Sequence, residues 1–273
     1  MSSAPIGIFD SGIGGLTVAR TIHELLPNES TIYLGDTARV PYGPKSPETV
    51  QRYSREIVDW LSREGVKAVV VACNTATAHA LPALRERLAM PVVGVIEPGA
   101  RAAALTTARG TVGVIGTAGT ISSGAYRRAL ELELPGARIV ERACPLFVPL
   151  VEEGWLSHPA TRAVAEEYLA DVRAAGVDVL VLGCTHYPLL KPLIGDVMGC
   201  GTVLIDSAYE TARELVGVLQ HHGIAASPDA VVTHRYVVTD DIERFERVGA
   251  VFLGKPLTGV EHVNVEAVVI NAP

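Results

Sequence analysis

No stretch of this chain reaches the roughly 18–20 consecutive apolar residues that a membrane span requires. No cluster of lysine and arginine supplies the concentrated basic charge that a phosphate backbone demands. With a formal net charge of −7, neither a membrane nor a nucleic acid is expected as the main partner. An acidic ligand would have to be held by local groups rather than drawn in from a distance. Cysteine is sparse too: four residues (Cys73, Cys144, Cys184, Cys200) and no close C-x-x-C pair, which argues against zinc or dithiol redox motifs. His, Cys and carboxylate positions show no metal spacing. A Walker lysine loop is missing. Asp10-Ser11-Gly12-Ile13-Gly14-Gly15 is glycine-rich, yet Thr17 stands where the third glycine of a dinucleotide fingerprint belongs. Lys67, Lys191 and Lys255 lack a recognisable pyridoxal phosphate context. No metal and no cofactor is therefore expected. Met1-Ser2-Ser3-Ala4-Pro5 has no basic n-region of a secretory signal, which predicts a soluble, cytoplasmic protein.

What the chain does have is room and repetition. Its 273 residues, 48% hydrophobic and 19% charged with 26 Gly and 17 Pro, suit one large or two ordinary globular domains. Two cysteines each end an apolar run and enter a polar turn: Val69-Val70-Val71-Ala72-Cys73-Asn74-Thr75 and Val181-Leu182-Gly183-Cys184-Thr185-His186. Glu64-Gly65-Val66-Lys67 precedes one run, and Ala175-Gly176-Val177-Asp178 the other. Most buried cysteines are small hydrophobes, and Cys144 and Cys200 are read that way. Cys73 and Cys184 stand apart because each sits where a strand opens into a turn.

The pattern between them is strand alternating with helix. Strands are expected at Ile6–Phe9, Thr31–Leu34, Lys67–Ala72 and Val92–Ile96, with helices from Gly15 to Leu26, after the Ser46 cap with Pro47 in its first turn, and from Ala76 to Ala89. Continuous apolar runs rather than period-2 alternation indicate parallel sheet covered on both faces. The order then restarts: Thr111–Ile115 resembles the first strand, and Gly116-Thr117-Ala118-Gly119-Thr120 takes the place of the Asp10-Ser11-Gly12 turn. A helix, strand Arg138–Arg142, a loop at Pro145–Gly154, a helix over Thr161–Ala174 and strands Val179–Leu182 and Val203–Ile205 follow. Gly7 and Gly113 lie 106 residues apart, Cys73 and Cys184 111, which two lobes of one pattern differing by a five-residue insertion accommodate. The expected fold class is α/β: two similar lobes, each a mainly parallel sheet flanked by helices, related by pseudo-two-fold symmetry with the site in the cleft between them. The Ala208–His222 helix and strand Val231–Val238 have no place in the second repeat. They are assigned back to the first lobe, giving residues 1–97 with 208–273, and residues 98–207 as the second lobe. No low-complexity linker separates the lobes, so a tight cleft is expected.

Ligands of open parallel sheets bind beyond the carboxyl ends of the strands. Asp10-Ser11, Cys73-Asn74-Thr75, Thr117 and Cys184-Thr185-His186 all fall at such ends, each expected just before a helix whose free N–H groups suit an anion. Singly, such Ser, Thr and Asn residues are more often plain caps. Four such turns in two aligned repeats, two bearing thiols, favour a site. A thiolate is a strong nucleophile and a usable carbon base. His186, two residues from Cys184, is placed to serve it, whereas Cys73 would turn to Asp10 at the adjacent strand end.

Asp10-Ser11-Gly12, Pro41-Tyr42-Gly43, Cys73-Asn74-Thr75, Cys144-Pro145-Leu146 and Cys184-Thr185-His186-Tyr187-Pro188 together resemble the glutamate racemases, within the cofactor-independent aspartate/glutamate racemase superfamily. The resemblance runs in order from Ile6 to about Asp206. It implies that one cysteine thiolate removes the α-proton of glutamate while the cysteine on the other face returns a proton, supplying D-glutamate for peptidoglycan. It further implies Cys73 and Cys184 as the acid/base pair, Asp10 assisting Cys73, and His186 with Glu152 assisting Cys184. Asp10, Ser11, Tyr42, Gly43, Asn74, Thr75, Thr117, Thr120, Thr185 and His186 are implied as substrate-binding. Family members commonly form homodimers. Some carry an N-terminal extension and respond to a cell-wall precursor; here the first strand begins about five residues in, and no such activation is expected. Two other readings stand beside this one: a racemase of another amino acid such as aspartate on the same fold, and a non-catalytic α/β binding module whose cysteines merely pack.

Overall fold

The computed structural model describes residues 2–265. Strand and helix alternate through β1 (Ile6–Asp10), α1 (Leu16–Leu25), β2 (Thr31–Gly35), α2 (Pro47–Arg63), β3 (Ala68–Val71), α3 (Asn74–Arg87), β4 (Val92–Gly94) and α4 (Ile96–Thr106). A second series follows: β5 (Thr111–Gly116), α5 (Ala118–Ser122), α6 (Ala125–Glu133), β6 (Arg138–Ala143), α7 (Phe147–Glu152), α8 (Pro159–Ala174), β7 (Val179–Gly183), α9 (Lys191–Met198) and β8 (Val203–Asp206). The chain closes with α10 (Ser207–His221), β9 (His234–Val238), α11 (Ile242–Leu253) and β10 (Glu261–His262).

The strands form two sheets, both wholly parallel: β10-β9-β2-β1-β3-β4, and β6-β5-β7-β8. In each lobe the first strand lies between the second and the third, with the fourth outside the third. The two sheets therefore share one winding, and β7 occupies in the second lobe the place of β3 in the first. Every residue of β1, β2, β3 and β7 is buried, as helices covering both faces require, which is why these strands read as unbroken apolar runs.

The repeated text before each thiol strand has a backbone cause. α2 and α8 each end in a left-handed glycine, Gly65 (φ 74°) and Gly176 (φ 71°), after which a valine enters the strand region. A glycine just past a helix end accepts positive φ without the Cβ clash that other residues meet. Ser46 caps α2 as expected, its Oγ accepting from the Thr49 N–H at 3.3 Å.

Several element assignments differ. The Pro145–Gly154 segment is not all loop: it holds α7, and Glu152 ends that helix. The strand expected over Val92–Ile96 stops at Gly94, and Ile96 opens α4, a helix whose Pro98 and Gly99 mask its start in the sequence. α3 begins at Asn74, two residues before the expected Ala76, and β9 starts only at His234. Cys144 is buried as read, but Cys200 is exposed in the turn after α9 and packs in no core. β9 pairs with β2 in the first sheet, while α10 packs against α1 on one side and α4 on the other. No described helix is long and apolar enough to cross a membrane.

Candidate active site

The turns at the carboxyl ends of β1, β3, β5 and β7 meet around one cavity of about 430 Å³. Ser11, Tyr42, Gly43, Cys73, Asn74 and Thr75 line it from the first lobe, and Thr117, Glu152, Cys184, Thr185 and His186 from the second. Two expected residues do not reach the cavity surface. Asp10 lies beneath its turn, and Thr120 sits behind Thr117; both are 1% exposed.

The two thiols occupy equivalent positions in unlike surroundings. Cys73 is the N-cap of α3, its Sγ accepting from the Ala76 N–H at 3.4 Å and lying 3.7 Å from Ser11 Oγ. Burial pushes the Cys73 thiol up to about 12, and the charge of Asp10 adds to the rise; the Ala76 and Ser11 hydrogen bonds oppose it. Asp10 itself is raised by burial, against the lowering influence of His186 and the N–H groups of Gly12 and Gly15. Its Oδ2 accepts from Gly12 N–H at 2.9 Å, while Oδ1 is buried without a hydrogen-bond partner among the described residues.

Cys184 is not at an α-helix N-terminus. A short 3₁₀ turn, Tyr187–Leu190, separates it from α9, so the helix-dipole argument holds for Cys73 and fails for Cys184. Its partner is His186, whose Nδ1 lies 3.8 Å from Cys184 Sγ and whose Nε2 lies 2.9 Å from Glu152 Oε1. Burial alone would lower the imidazole. The bonds to Cys184 and Glu152 and their charges outweigh it and raise His186 to about 10. An imidazolium, with both ring nitrogens protonated, donates to both neighbours at once. Burial would raise Glu152, but the His186 bond and the charges of His186 and Arg244 hold it below the usual carboxylate range.

Two glycines of the turn after β1 stand where close packing leaves no room for a side chain, Gly14 against this second-lobe turn and Gly15 against its own lobe. A Cβ on Gly14 would lie 2.2 Å from Thr185 Oγ1 and 2.5 Å from the His186 ring, and one on Gly15 would meet Asp10 Cβ at 2.6 Å. The opposite flank is closed by hydroxyls. Thr75 Oγ1 lies 2.8 Å from Thr117 Oγ1 and 3.2 Å from Thr120 Oγ1, with 3.0 Å between the latter two. Thr120 thus ties the lobes together behind the cavity. Beside this triangle the Gly119 N–H donates to Gly43 O at 2.9 Å, and the Gly119 carbonyl is 3.1 Å from His79 Nε2.

Two side chains are engaged in ways the sequence did not foretell. The Tyr42 hydroxyl is bound by the carboxylate of Asp36, which Arg39 and Thr239 also hold. Asn74 Oδ1 accepts from Tyr126 Oη at 2.8 Å, leaving Nδ2 buried with no partner among the described residues, a donor that a ligand oxygen would satisfy. Arg244, on α11, was not anticipated. It is the one lysine or arginine lining the cavity among the described residues, and its Nη2 donates to Glu152 Oε2 at 2.8 Å. Nothing near Arg244 in sequence signals this, because the contact joins residues 92 apart. Among the described residues no group of His, Cys, Asp and Glu could hold a metal ion.

The Asp/Glu/Hydantoin racemase family model matches residues 6–215. The chain is 55% identical over 262 residues to the glutamate racemase of Geobacter metallireducens, covering 96% of this chain and 97% of that one. Among solved structures it is similar to a glutamate racemase of Bacillus anthracis (TM-score 0.93, 43% identity, covering 97% and 98%). It is also similar to the Francisella tularensis glutamate racemase in complex with D-glutamate (TM-score 0.91, 36% identity, covering 98% and 100%).

Proposed function

Since the chain belongs to the Asp/Glu/Hydantoin racemase family, we propose that it interconverts L- and D-glutamate with its two thiols, supplying D-glutamate for peptidoglycan. The observation that carries this reading is that Cys73 and Cys184, at the ends of equivalent strands in two sheets of one winding, line a single cavity. The lobes that bring them there are proposed to divide as residues 1–97 with 208–273, and residues 98–207. Ser11, Thr75, Thr117, Thr185 and the Asn74 amide supply donors for the substrate's carboxylates, and the N-terminus of α3 adds its backbone N–H groups.

In one direction a thiolate takes the α-hydrogen as a proton and becomes a thiol, and the C–H electron pair stays on the carbon and its carboxylate. The opposite thiol then gives its proton to the other face of that carbon and becomes a thiolate. One turnover exchanges the protonation of the two cysteines, so each needs a route by which its proton is reset. His186 with Glu152 serves Cys184, and Asp10 serves Cys73. For the free enzyme at pH 7, a Cys73 thiol near 12 means that forming its thiolate costs about 7 kcal/mol. A substrate ammonium beside Cys73 lowers that cost as an opposite charge does. Electrostatic stabilisation of the carbanion in the closed cavity contributes to rate at tenfold per 1.36 kcal/mol.

The test is exchange of solvent deuterium into the α-position of each enantiomer. The unmodified protein is expected to deuterate and racemise both. Cys73→Ala and Cys184→Ala should each abolish racemisation, each retaining exchange into only one enantiomer, and not the same one. Full racemisation by either single variant would refute the two-thiol mechanism. L- and D-glutamate are equal in free energy, so kcat/KM must be the same in both directions, for any variant; kcat and KM can differ only in proportion to each other, and the exchange rates can differ.

A further inference from the structure

We propose that Arg244 is a positioning residue, contributed by the first-sheet side of the cleft, which holds Glu152 in register with His186 and so makes the Cys184 proton route complete only when the two lobes are closed. The inference rests on the racemase reading above and extends it to a residue that this reading does not use.

Glu152 has two oxygens with two different partners. Oε1 meets His186 Nε2 at 2.9 Å, from within its own lobe, and Oε2 accepts from Arg244 Nη2 at 2.8 Å, across the cleft. Glu152 is the last residue of α7, a helix of only six residues, so its backbone alone holds the carboxylate weakly. Two charge-assisted bonds, one on each oxygen, fix the carboxylate plane and thereby the imidazole. The His186 ring is also held at Nδ1 by Cys184 Sγ at 3.8 Å and Thr185 Oγ1 at 3.5 Å, by the Phe252 ring, which meets it edge-on at 5.1 Å, and by the close approach of Gly14. Phe252 lies on α11, the helix that carries Arg244, so α11 supports both members of the pair.

The start of α11 is built to aim that arginine. Asp241, its N-cap, is the one non-glycine residue with positive φ among the described residues (φ 46°), and its side chain accepts from the Arg244 N–H at 2.9 Å. The preceding Asp240 N–H donates to Thr37 Oγ1 at 2.8 Å, and Thr239 Oγ1 to Asp36 Oδ1 at 3.0 Å. A residue in a costly conformation persists only where its surroundings over-determine it. Here they fasten the first turn of α11 to the segment that also carries Tyr42. Other contacts across the cleft, among them the three threonine hydroxyls, the Gly43–Gly119 bond, Thr17 Oγ1 donating to the Thr185 carbonyl and Tyr126 Oη donating to Asn74, are buried or half-buried and uncharged. The Arg244–Glu152 pair is different: the arginine side chain is 43% exposed and the bond can open to water. Opening the cleft there releases Glu152 Oε2 and loosens His186 in the same movement.

The experiment is a double-mutant cycle on glutamate racemisation with wild type, Arg244→Ala, Glu152→Gln and the double variant, each checked for folding by thermal melting. Arg244→Ala is expected to lower kcat roughly tenfold, the scale of one charge-assisted hydrogen bond discounted for exposure, and to change KM by less than about threefold. In the Glu152→Gln background the same substitution should change kcat by less than about twofold, because its route of action is already cut. Arg244→Lys should recover part of the loss. An unchanged kcat for Arg244→Ala, a loss confined to KM, or an equal loss in both backgrounds would overturn the proposal, the last by showing that Arg244 does not act through Glu152. If Arg244→Ala does not fold, the cycle run with Arg244→Lys decides on the same criterion. A wild-type protein that leaves glutamate unracemised defeats the racemase reading instead, a result separate from any of these.

Discussion

The unequal thiols make a measurable prediction in the free protein. Cys73 sits near 12, chiefly through burial and secondarily through Asp10, whereas an ordinary cysteine has a pKa of about 8.5. At pH 8 an ordinary thiol is about one-quarter thiolate and Cys73 about one part in ten thousand, a ratio of roughly 2,000. A more basic thiolate is a better nucleophile, and a Brønsted slope of 0.4–0.5 over that interval returns a factor of about 40. Cys73 should therefore exchange with a small disulfide at least about forty-fold more slowly in the native protein than in the urea-unfolded chain. Its 6% exposure slows it further. Peptide mass spectrometry at timed intervals reads the rate, residue by residue, with exposed Cys200 as the marker that the reagent is active. Asp10→Asn removes the second cause of the shift and should speed Cys73 modification while slowing racemisation. Native Cys73 reacting within a few-fold of its unfolded rate, or reacting more slowly in Asp10→Asn, would refute the reasoning.

Other consequences concern the seams of the cleft. A Cβ on Gly119 would lie 2.7 Å from the backbone oxygen of Gly43, so Gly119→Ala must push the lobes apart. It should raise KM and cost about 1–3 kcal/mol in a denaturant titration; wild-type KM would refute the close interlobe fit. Gly14→Ala forces its methyl into the His186 ring and should reduce kcat more than Gly65→Ala, which strains a left-handed backbone but whose Cβ meets nothing among the described residues; comparing the two variants' kcat checks this. His186 is raised in the folded state, to about 10, from the ordinary imidazole value of about 6.5. Its contribution to stability is therefore full below pH 6.5 and lost as pH rises through 10. The melting temperature of His186→Asn should fall furthest below wild type near pH 6, with the gap narrowing toward pH 10. A gap that widens with pH would contradict the assignment.

The duplicated strand-thiol-turn text and its left-handed glycines are local facts, and they were legible because each strand is covered on both faces and each preceding helix stops the same way. Ser46 declared its helix for the same kind of reason, a side chain satisfying an N–H three residues on. α7 and α4 were not legible: Pro149 in one and Pro98-Gly99 in the other disguise helices that tertiary packing stabilises regardless. Asp10 and Thr120 were expected at the site from the resemblance, but their placement behind the cavity surface required coordinates.

By itself the chain determined the α/β winding, its duplication, and the positions of both thiols at strand ends, since periodicity and turn chemistry act over a few residues. Only the tertiary structure decided what each thiol faces. Cys73 gained a helix N-terminus and a buried carboxylate, while Cys184 gained an imidazolium held by Glu152, whose other oxygen Arg244 binds across the cleft. Those differences arise from contacts between distant segments, and burial and charge at such contacts are properties of the folded arrangement that no local pattern encodes.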